Sequence, residues 1–190
     1  VAGGLAGGTD ATNSDTTVAL LRYNTDGSLD TSWSNDGKVR NDVTSGFDYA
    51  GSLAIQSDGK IVAGGGANQQ KFAALRYNTN GSLDLSFSSD GKVRTDLTSG
   101  NDAGGGVAVQ TDGRIVVGGA ANLSPNTLFG VVRYNADGSL DSTFGGDGKV
   151  TTSFGTSSAG INGVAIQADG KIVTAGFADT GFGLARYLAV

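Results

Sequence analysis

The sequence lacks the side chains on which most enzyme active sites depend. Its 190 residues include no cysteine and no histidine. Without cysteine there is no disulfide framework and no thiol nucleophile. Without histidine there is no Ser-His-Asp triad, no His-ligated metal and no imidazole acid or base. A pair of aspartate carboxylates is what remains for acid–base catalysis.

Glutamate is also absent, so all 18 acidic residues are aspartates. Asp and Gly both favour turns, because Asp bonds to its own backbone and Gly adopts positive φ, whereas Glu favours helices. The composition therefore predicts turns and strands with little or no helix. Eight of the aspartates directly precede glycine: Asp26, Asp36, Asp58, Asp90, Asp112, Asp137, Asp147 and Asp169.

Charge and hydropathy narrow the choice of partners. The formal net charge is −5, and the basic residues are dispersed along the chain rather than clustered. Nucleic acid is therefore not an expected partner, since it requires clustered Lys and Arg. No apolar run reaches the length that spans a bilayer, so membrane insertion is not expected either.

The dominant feature of the sequence is a repeat of about 54 residues. Arg-Tyr recurs at Arg22, Arg76, Arg133 and Arg186, at intervals of 54, 57 and 53 residues. The first three copies continue with Asn-Xaa-Asp/Asn-Gly-Ser-Leu-Asp, an aromatic residue, Asp-Gly-Lys-Val, and then Ala-Ile/Val-Gln before a further Asp-Gly and Ile-Val. The aromatic residues are Trp33, Phe87 and Phe144.

Each repeat predicts four strands, here named A to D and placed in the second copy. They are A (Leu53–Gln56), B (Lys60–Gly64), C (Phe72–Tyr77) and D (Lys92–Asp96). A tight Asp-Gly turn joins A to B, a strong hairpin signal. Four short strands at this period favour an all-β fold, a β-propeller of four-stranded blades. A β-solenoid is the alternative, although its coils are usually shorter.

We expect a single repeat domain over residues 1–190, with repeats at about 1–35 (partial), 36–89, 90–146 and 147–190. Val1–Gly4 matches Val62–Gly65 inside a later repeat, so the chain is expected to be a processed product or a fragment. About fourteen strands are predicted, whereas a closed propeller needs four to eight blades. Self-association, or contact with missing repeats, is therefore expected to close the ring, unless four blades form a squeezed ring.

The repeat pattern resembles the bacterial delta-60 repeat family. The residues that carry this resemblance are Leu-Xaa-Arg-Tyr-Asn-Xaa-Asp-Gly-Ser-Leu-Asp, then Asp-Gly-Lys-Val, then Ala-Ile-Gln-Xaa-Asp-Gly-Lys-Ile-Val, and they recur over nearly the whole chain. The resemblance implies a β-propeller-like fold and an extracellular or cell-surface location in a large bacterial protein. It implies no reaction.

The links between the strands divide into a constant and a variable set. The A–B and C–D links repeat closely, whereas the B–C links (5–17, 66–71, 120–128, 177–181) and D–A links (43–51, 97–104, 154–163) differ between copies. Variable links on a rigid scaffold are where binding residues concentrate. The predicted ligand-binding face therefore carries Asp48, Tyr49, Gln69, Gln70, Asn101, Asp102, Asn122 and Asn162, the alternative being ordinary solvated loops.

Three further patterns have a structural and a functional interpretation. The Asn-Xaa-Asp-Gly-Ser-Leu-Asp segment partly matches a calcium-binding loop. If Gly27 is taken as the loop glycine, however, Arg22 stands at the first ligand position, where a carboxylate is needed, so a turn is favoured. No cofactor is expected, and calcium is the one that stays open. The repeated arginines fit structural ion pairs with Asp30, Asp84 and Asp141 better than a cationic ligand ring. The recurrent aromatics are expected to be core wedges.

Three functions remain open. The favoured hypothesis is a non-catalytic extracellular propeller module that binds a protein or a glycan, or acts as a scaffold. The second is a polysaccharide hydrolase with Asp48 and Asp102 as its carboxylate pair, since they occupy matching positions in adjacent repeats. The third is a structural subunit of a larger assembly.

Overall fold

The structure is a computed structural model that describes residues 1–7, 16–68 and 70–188, with only the backbone described at 5–7. The described residues form fourteen strands and contain no α-helix, and hence none long and apolar enough to cross a membrane. All strand pairings in the four sheets are antiparallel. The predicted all-β fold and the approximate strand number are confirmed.

The strands follow the chain from sheet to sheet. Sheet 1 contains β1 (Ala2–Gly7), β2 (Thr16–Leu21) and β3 (Lys38–Asn41), and sheet 2 contains β4 (Asp48–Ile55), β5 (Ile61–Ala67), β6 (Lys71–Tyr77) and β7 (Lys92–Thr95). Sheet 3 contains β8 (Ala103–Val109), β9 (Ile115–Leu123), β10 (Asn126–Tyr134) and β11 (Lys149–Thr152). Sheet 4 contains β12 (Ala159–Ile166), β13 (Ile172–Ala178) and β14 (Gly181–Tyr187). Sheets 2 and 3 have strands A to D, whereas sheet 1 has B to D and sheet 4 has A to C.

The core consists of three apolar layers, each between two consecutive sheets. Val18 and Leu20 of sheet 1 pack with Ile61 and Ala63 of sheet 2. The equivalent layers between sheets 2 and 3 and between sheets 3 and 4 repeat this arrangement. Alternate residues of one strand therefore contribute to the preceding and the following layer, as the period of two in a strand requires. Over the described residues, the sheets form an arc that is not closed into a ring.

Strand A begins earlier than the sequence indicates. A bulge at Gly51, Gly105 or Asn162 shifts the A–B register by one residue, and pairing continues beyond it to Asp48, Ala103 or Ala159. The bulge interrupts the alternation of apolar residues, so the first part of the strand has the sequence pattern of a loop. The glycine also lets the inner strands approach, because a Cβ on Gly51 would lie 2.6 Å from the Gly105 carbonyl oxygen.

Candidate functional site

The B–C and D–A links meet on one face of the arc, which we call the variable face. Its described links are 68, 70, 124–125 and 179–180 between strands B and C, and 42–47, 96–102 and 153–158 between strands D and A. They are shorter than predicted, because the flanking strands are longer. Asp48, Tyr49, Asn122 and Asn162 therefore belong to strands rather than loops, which corrects the sequence prediction.

Asp48 closes the first D–A link from the start of β4. Its side chain is fully buried and accepts hydrogen bonds from the amides of Val43 and Thr44, both at 2.7 Å, and from the Thr44 hydroxyl. The Asn68 amide in the facing B–C link donates to the same carboxylate at 3.3 Å. The Asp48 amide donates to the Thr16 hydroxyl, which ties this link to sheet 1.

Asp102 repeats this geometry one sheet further on. The fully buried carboxylate accepts the amides of Leu97 and Thr98, at 2.7 and 2.9 Å, and the Thr98 hydroxyl. It also accepts the amide of Asn122 at 3.0 Å. Both candidate catalytic carboxylates are thus buried and accept hydrogen bonds from amides and hydroxyls of the links. Neither is placed to contact a substrate from solvent.

In the third D–A link, the backbone amides are also bound by a carboxylate, but this carboxylate comes from the facing B–C link instead of the start of strand A. Ala159 stands at the position of Asp48 and Asp102, whereas Asp179 stands at the position of Asn68 and Asn122. Asp179 Oδ1 accepts the amides of Ser157 and Ser158 at 3.2 and 2.9 Å. Sequence reasoning did not single out Asp179. The signal was present, because an aspartate is found at Asp179 in the repeat that has Ala159 in place of Asp48 or Asp102.

The other predicted face residues differ in accessibility. Gln70 and Asn101 are exposed, and Asn122 is half-buried. Tyr49 is half-buried, and its hydroxyl donates to the Gly104 carbonyl oxygen at 2.9 Å; burial raises the pKa of its phenol. Asn162 is exposed on sheet 4, in an apolar groove with Phe177 and Phe182. Gln69 lies outside the described residues.

The opposite face contains the repeated ion pairs, and the structural interpretation is confirmed there. The Nε atoms of Arg22, Arg76 and Arg133 lie 2.8, 2.7 and 2.7 Å from carboxylate oxygens of Asp30, Asp84 and Asp141. A second cation joins the latter two carboxylates, because Lys60 Nζ lies 2.9 Å from Asp84 and Arg114 Nε 2.9 Å from Asp141. These groups hold the C–D link against its own sheet.

The recurrent aromatic residues are buried beneath these arginines, as predicted for core wedges. Trp33 and Phe87 are fully buried and Phe144 nearly so. The guanidinium carbon of the arginine in the same repeat lies 5.4, 4.8 and 4.7 Å from the respective ring centroid. Each stacking is a cation–π contact.

The residue after the wedge reaches the next sheet in two repeats, because the Ser34 and Ser88 amides donate to the carbonyl oxygens of Asn80 and Asp137.

These ion pairs determine the charge of their carboxyls. Burial opposes ionisation of Asp84, but hydrogen bonds from Lys60, Ser86 and Arg76 outweigh it, and the pKa lies well below the ordinary aspartate value. Burial likewise opposes ionisation of Asp141, and its pKa is lowered because the hydrogen bonds from Thr143 and the charges of Arg133 and Arg114 outweigh that effect.

The Asn-Xaa-Asp-Gly-Ser segment forms a turn that its own side chains close. Asp26 Oδ1 accepts the amide and the hydroxyl of Ser28, at 2.9 and 2.6 Å, and Asp137 does the same with Ser139. These two hydrogen bonds also lower the pKa of each carboxyl. Within the part of the chain that the structure describes, no three His, Cys, Asp or Glu side chains are grouped as metal ligands.

The four consecutive antiparallel sheets have D–A links closed by carboxylates on one face, and arginine–aspartate pairs above aromatic wedges on the other. This is the plan of a β-propeller module. The model of the DUF5122 β-propeller family, a domain of unknown function, matches residues 5–32, 56–87, 110–144 and 167–190. The chain belongs to this family. No curated protein matches the sequence. The finer assignment to delta-60 repeats stays a prediction.

Proposed function

We propose that the chain is a non-catalytic β-propeller module that binds an uncharged polar ligand, such as an oligosaccharide, through its variable face. One observation carries this proposal. Thr44-Ser45-Gly46 and Thr98-Ser99-Gly100 repeat in the first two D–A links, yet the next position is Phe47 in one and Asn101 in the other. A constant frame that presents changing side chains is the arrangement of a binding surface on a scaffold.

The chemistry of the exposed positions favours a neutral ligand. Gln70 and Asn101 are exposed amides, which both donate and accept hydrogen bonds. The nearby cation, Lys71, forms an ion pair with Asp96 at 2.7 Å. Phe47 and Tyr49 pack beside the first link with ring centroids 5.8 Å apart and add apolar surface. Hydroxyl-rich ligands match amides of this kind beside aromatic rings.

A glycan microarray tests this proposal. We expect saturable binding to at least one class of neutral oligosaccharide and at least a tenfold weaker affinity in the variant Gln70→Ala, Asn101→Ala. The matched control is Ser57→Ala, Thr111→Ala, two exposed residues in A–B turns on the opposite face, and it should bind like the parent. No binding to any glycan would contradict the proposal, and release of new reducing ends would indicate the hydrolase instead.

The proposed location is the bacterial surface or exterior, which rests on the resemblance to delta-60 repeats. Protease treatment of intact cells checks it. We expect peptides of this chain among the released products, and their recovery only after lysis would contradict the location.

A further inference from the structure

The hairpin of strands B and C in sheet 3 is longer than its equivalent in sheet 2. In sheet 2 the pairing of these strands ends at Ala67↔Lys71. In sheet 3 two further pairs follow the equivalent position, Asn122↔Thr127 and Leu123↔Asn126. The longer hairpin accounts for the repeat interval of 57 residues in place of 54. It projects further from the variable face than the B–C link of sheet 2, and such extensions of a regular scaffold are where recognition residues concentrate.

Hydrogen bonds with both neighbouring D–A links hold this hairpin in place. On the side of sheet 2, the Thr98 hydroxyl donates to the Asn122 carbonyl oxygen at 2.6 Å. On the side of sheet 4, the Thr127 amide donates to the Ser157 carbonyl oxygen at 3.1 Å, and the Ala159 amide donates to the Thr127 hydroxyl at 3.0 Å. Side chains near the tip are therefore presented on a rigid support, as a specific site requires.

Leu123 carries its side chain on the face of sheet 3 that is turned towards sheet 2. Side chains alternate along a strand, so Leu123 shares a face with Val117, which packs in the apolar layer between sheets 2 and 3. Unlike Val117, Leu123 is 52% exposed. The link 96–102 lies on the same side, since a Cβ on Gly100 would lie 2.2 Å from the Asn122 carbonyl oxygen.

This link brings Leu123 together with the two amides of the proposed binding surface. Asn101 is an exposed residue of the link itself. Gln70 lies beside it, because the Asp102 amide donates to the Gln70 carbonyl oxygen at 3.3 Å. The amide of Asn122, the residue before Leu123, donates to the Asp102 carboxylate at 3.0 Å. Gln70, Asn101 and Leu123 therefore border one corner of the variable face.

The side chains at this corner match the chemistry of an acetamido group. The carboxamides of Gln70 and Asn101 both donate and accept hydrogen bonds, and an acetamido group offers one N–H donor and one carbonyl acceptor in return. Its methyl group requires an apolar contact, which Leu123 provides. A plain hexose has a hydroxyl in place of the acetamido group, so it leaves Leu123 without an apolar partner. The corner therefore distinguishes acetamido sugars among neutral oligosaccharides.

We propose that this corner selects N-acetylhexosamine units, with Leu123 as the specificity-determining residue. The inference rests on the proposed function, because acetamido sugars are one class of the neutral oligosaccharides assigned to the variable face. Gln70 and Asn101 pair with the acetamido N–H and carbonyl, and the methyl group lies against Leu123. The first D–A link has Phe47 in place of Asn101 and no extended hairpin beside it, so we expect one such site in each chain.

Calorimetric titration with chitotetraose and cellotetraose tests the selection, because these tetramers differ only in the acetamido group that replaces one hydroxyl of each ring. We expect one-to-one binding of chitotetraose and an affinity about tenfold weaker for cellotetraose. Saturation-transfer NMR should show the strongest transfer to the acetamido methyl. Equal affinities, or binding of other neutral glycans but not of chitotetraose, would overturn this inference and leave the proposed function standing. No binding to any glycan would overturn both.

Variants of Leu123 separate the apolar contact from a general effect on binding. Leu123→Ser should weaken chitotetraose binding about fivefold, because it removes the apolar contact, and should leave cellotetraose binding unchanged. Leu123→Ile keeps an apolar side chain and should retain the preference. Leu85→Ser is the matched control, because Leu85 is a leucine of similar exposure, 66%, on the opposite face. Thermal unfolding checks that all three variants fold. An undiminished preference for chitotetraose in Leu123→Ser would overturn the inference.

Discussion

At the scale of single residues, the three arginine–aspartate pairs share one geometry but differ in burial. The Arg76–Asp84 pair is almost fully enclosed, whereas the side chains of Arg22 and Asp30 are 30% and 19% exposed. Lys60 reaches Asp84 as a second cation, whereas Arg22 alone pairs with Asp30 among the described residues. A buried charge that loses its partner costs far more than an exposed one. The contribution of each pair to stability therefore depends on its surroundings.

The first prediction compares Asp84→Asn with Asp30→Asn. Loss of the buried carboxylate leaves the buried Arg76 without its counter-charge, and we expect the free energy of unfolding to fall by about 3 kcal/mol. The matched change at Asp30 should have a clearly smaller effect, because water solvates the arginine that is left. Urea denaturation measures both. Equal losses would contradict the dependence on burial.

The second prediction concerns acid. Asp84 and Asp141 have lowered pKa values in the folded chain, so the folded state binds fewer protons than the unfolded state, where the pKa is about 3.9. Their contribution to stability is fully present above that value and is lost as the pH falls towards the folded pKa values. Urea midpoints should therefore drop below about pH 4, and Asp84→Asn should flatten this drop. A variant with the same acid dependence as the parent would show that other groups cause it.

At the scale of elements, the D–A links show that one structural task can be met from either side. Asp48 with Asn68, and Asp102 with Asn122, place the carboxylate at the junction of the D–A link and strand A. Ala159 with Asp179 places it on the B–C link. Asn68 and Asp179 share a positive φ, 51° and 48°, so their side chains start from the same backbone. A Cβ on Gly46 would lie 2.5 Å from Asn68 Oδ1, which puts that amide over the link.

The third prediction moves the carboxylate within the first link. Asp48→Ala leaves buried amides without an acceptor and should cost about 3 kcal/mol. Adding Asn68→Asp should recover part of the loss, because it copies the Ala159–Asp179 arrangement. Asn68→Asp alone should destabilise, since it sets two carboxylates side by side. Thermal unfolding of the four proteins measures the coupling, and additive effects of the two changes would contradict the exchange.

The fourth prediction concerns the close approach of strands A and B. A Cβ on Gly65 would lie 1.9 Å from the Tyr49 carbonyl oxygen, whereas one on the equivalent Gly4 would meet nothing within 4 Å, because the described part of sheet 1 has no strand A. Gly65→Ala should therefore destabilise the chain by about 3 kcal/mol through overpacking, and Gly4→Ala should be close to neutral. Urea denaturation distinguishes them. A neutral Gly65→Ala would mean that strand A does not lie this close to strand B.

Elements that depend on local sequence could be predicted, and those that depend on the next sheet could not. The Asp-Gly turns, the strand number and the Arg76–Asp84 pairing follow from residues within one repeat. The start of β4 could not be predicted, because Asp48 is held by Thr16 of another sheet. Its burial, and hence its structural use, arises from that contact. A short-range pattern cannot distinguish a buried link carboxylate from an exposed one.

At the scale of the whole molecule, the four sheets differ in how many of their faces are covered. Sheets 2 and 3 lie between two neighbours, whereas sheets 1 and 4 each have one among the described residues. Tyr23 of sheet 1 is 46% exposed, while the equivalent Tyr77 is fully buried. In a repeat array, stability is the sum of each repeat and its interfaces. The end sheets therefore have the smaller share of interface energy.

The fifth prediction is a gradient of local stability along the arc. Hydrogen exchange should be slowest in β5, β6, β9 and β10, whose sheets have both faces covered, and fastest in β2 and β14 at the two ends, because local opening breaks fewer apolar contacts there. Mass spectrometry of peptides from each strand measures it at a concentration low enough to keep the chain monomeric. Leu75→Ala in β6 should speed exchange in sheets 1 and 2 and leave sheet 4 unchanged, since its contacts lie in the first apolar layer. Uniform rates in all four sheets would show instead that the arc opens as one cooperative unit, and the ends would then be as firmly held as the centre.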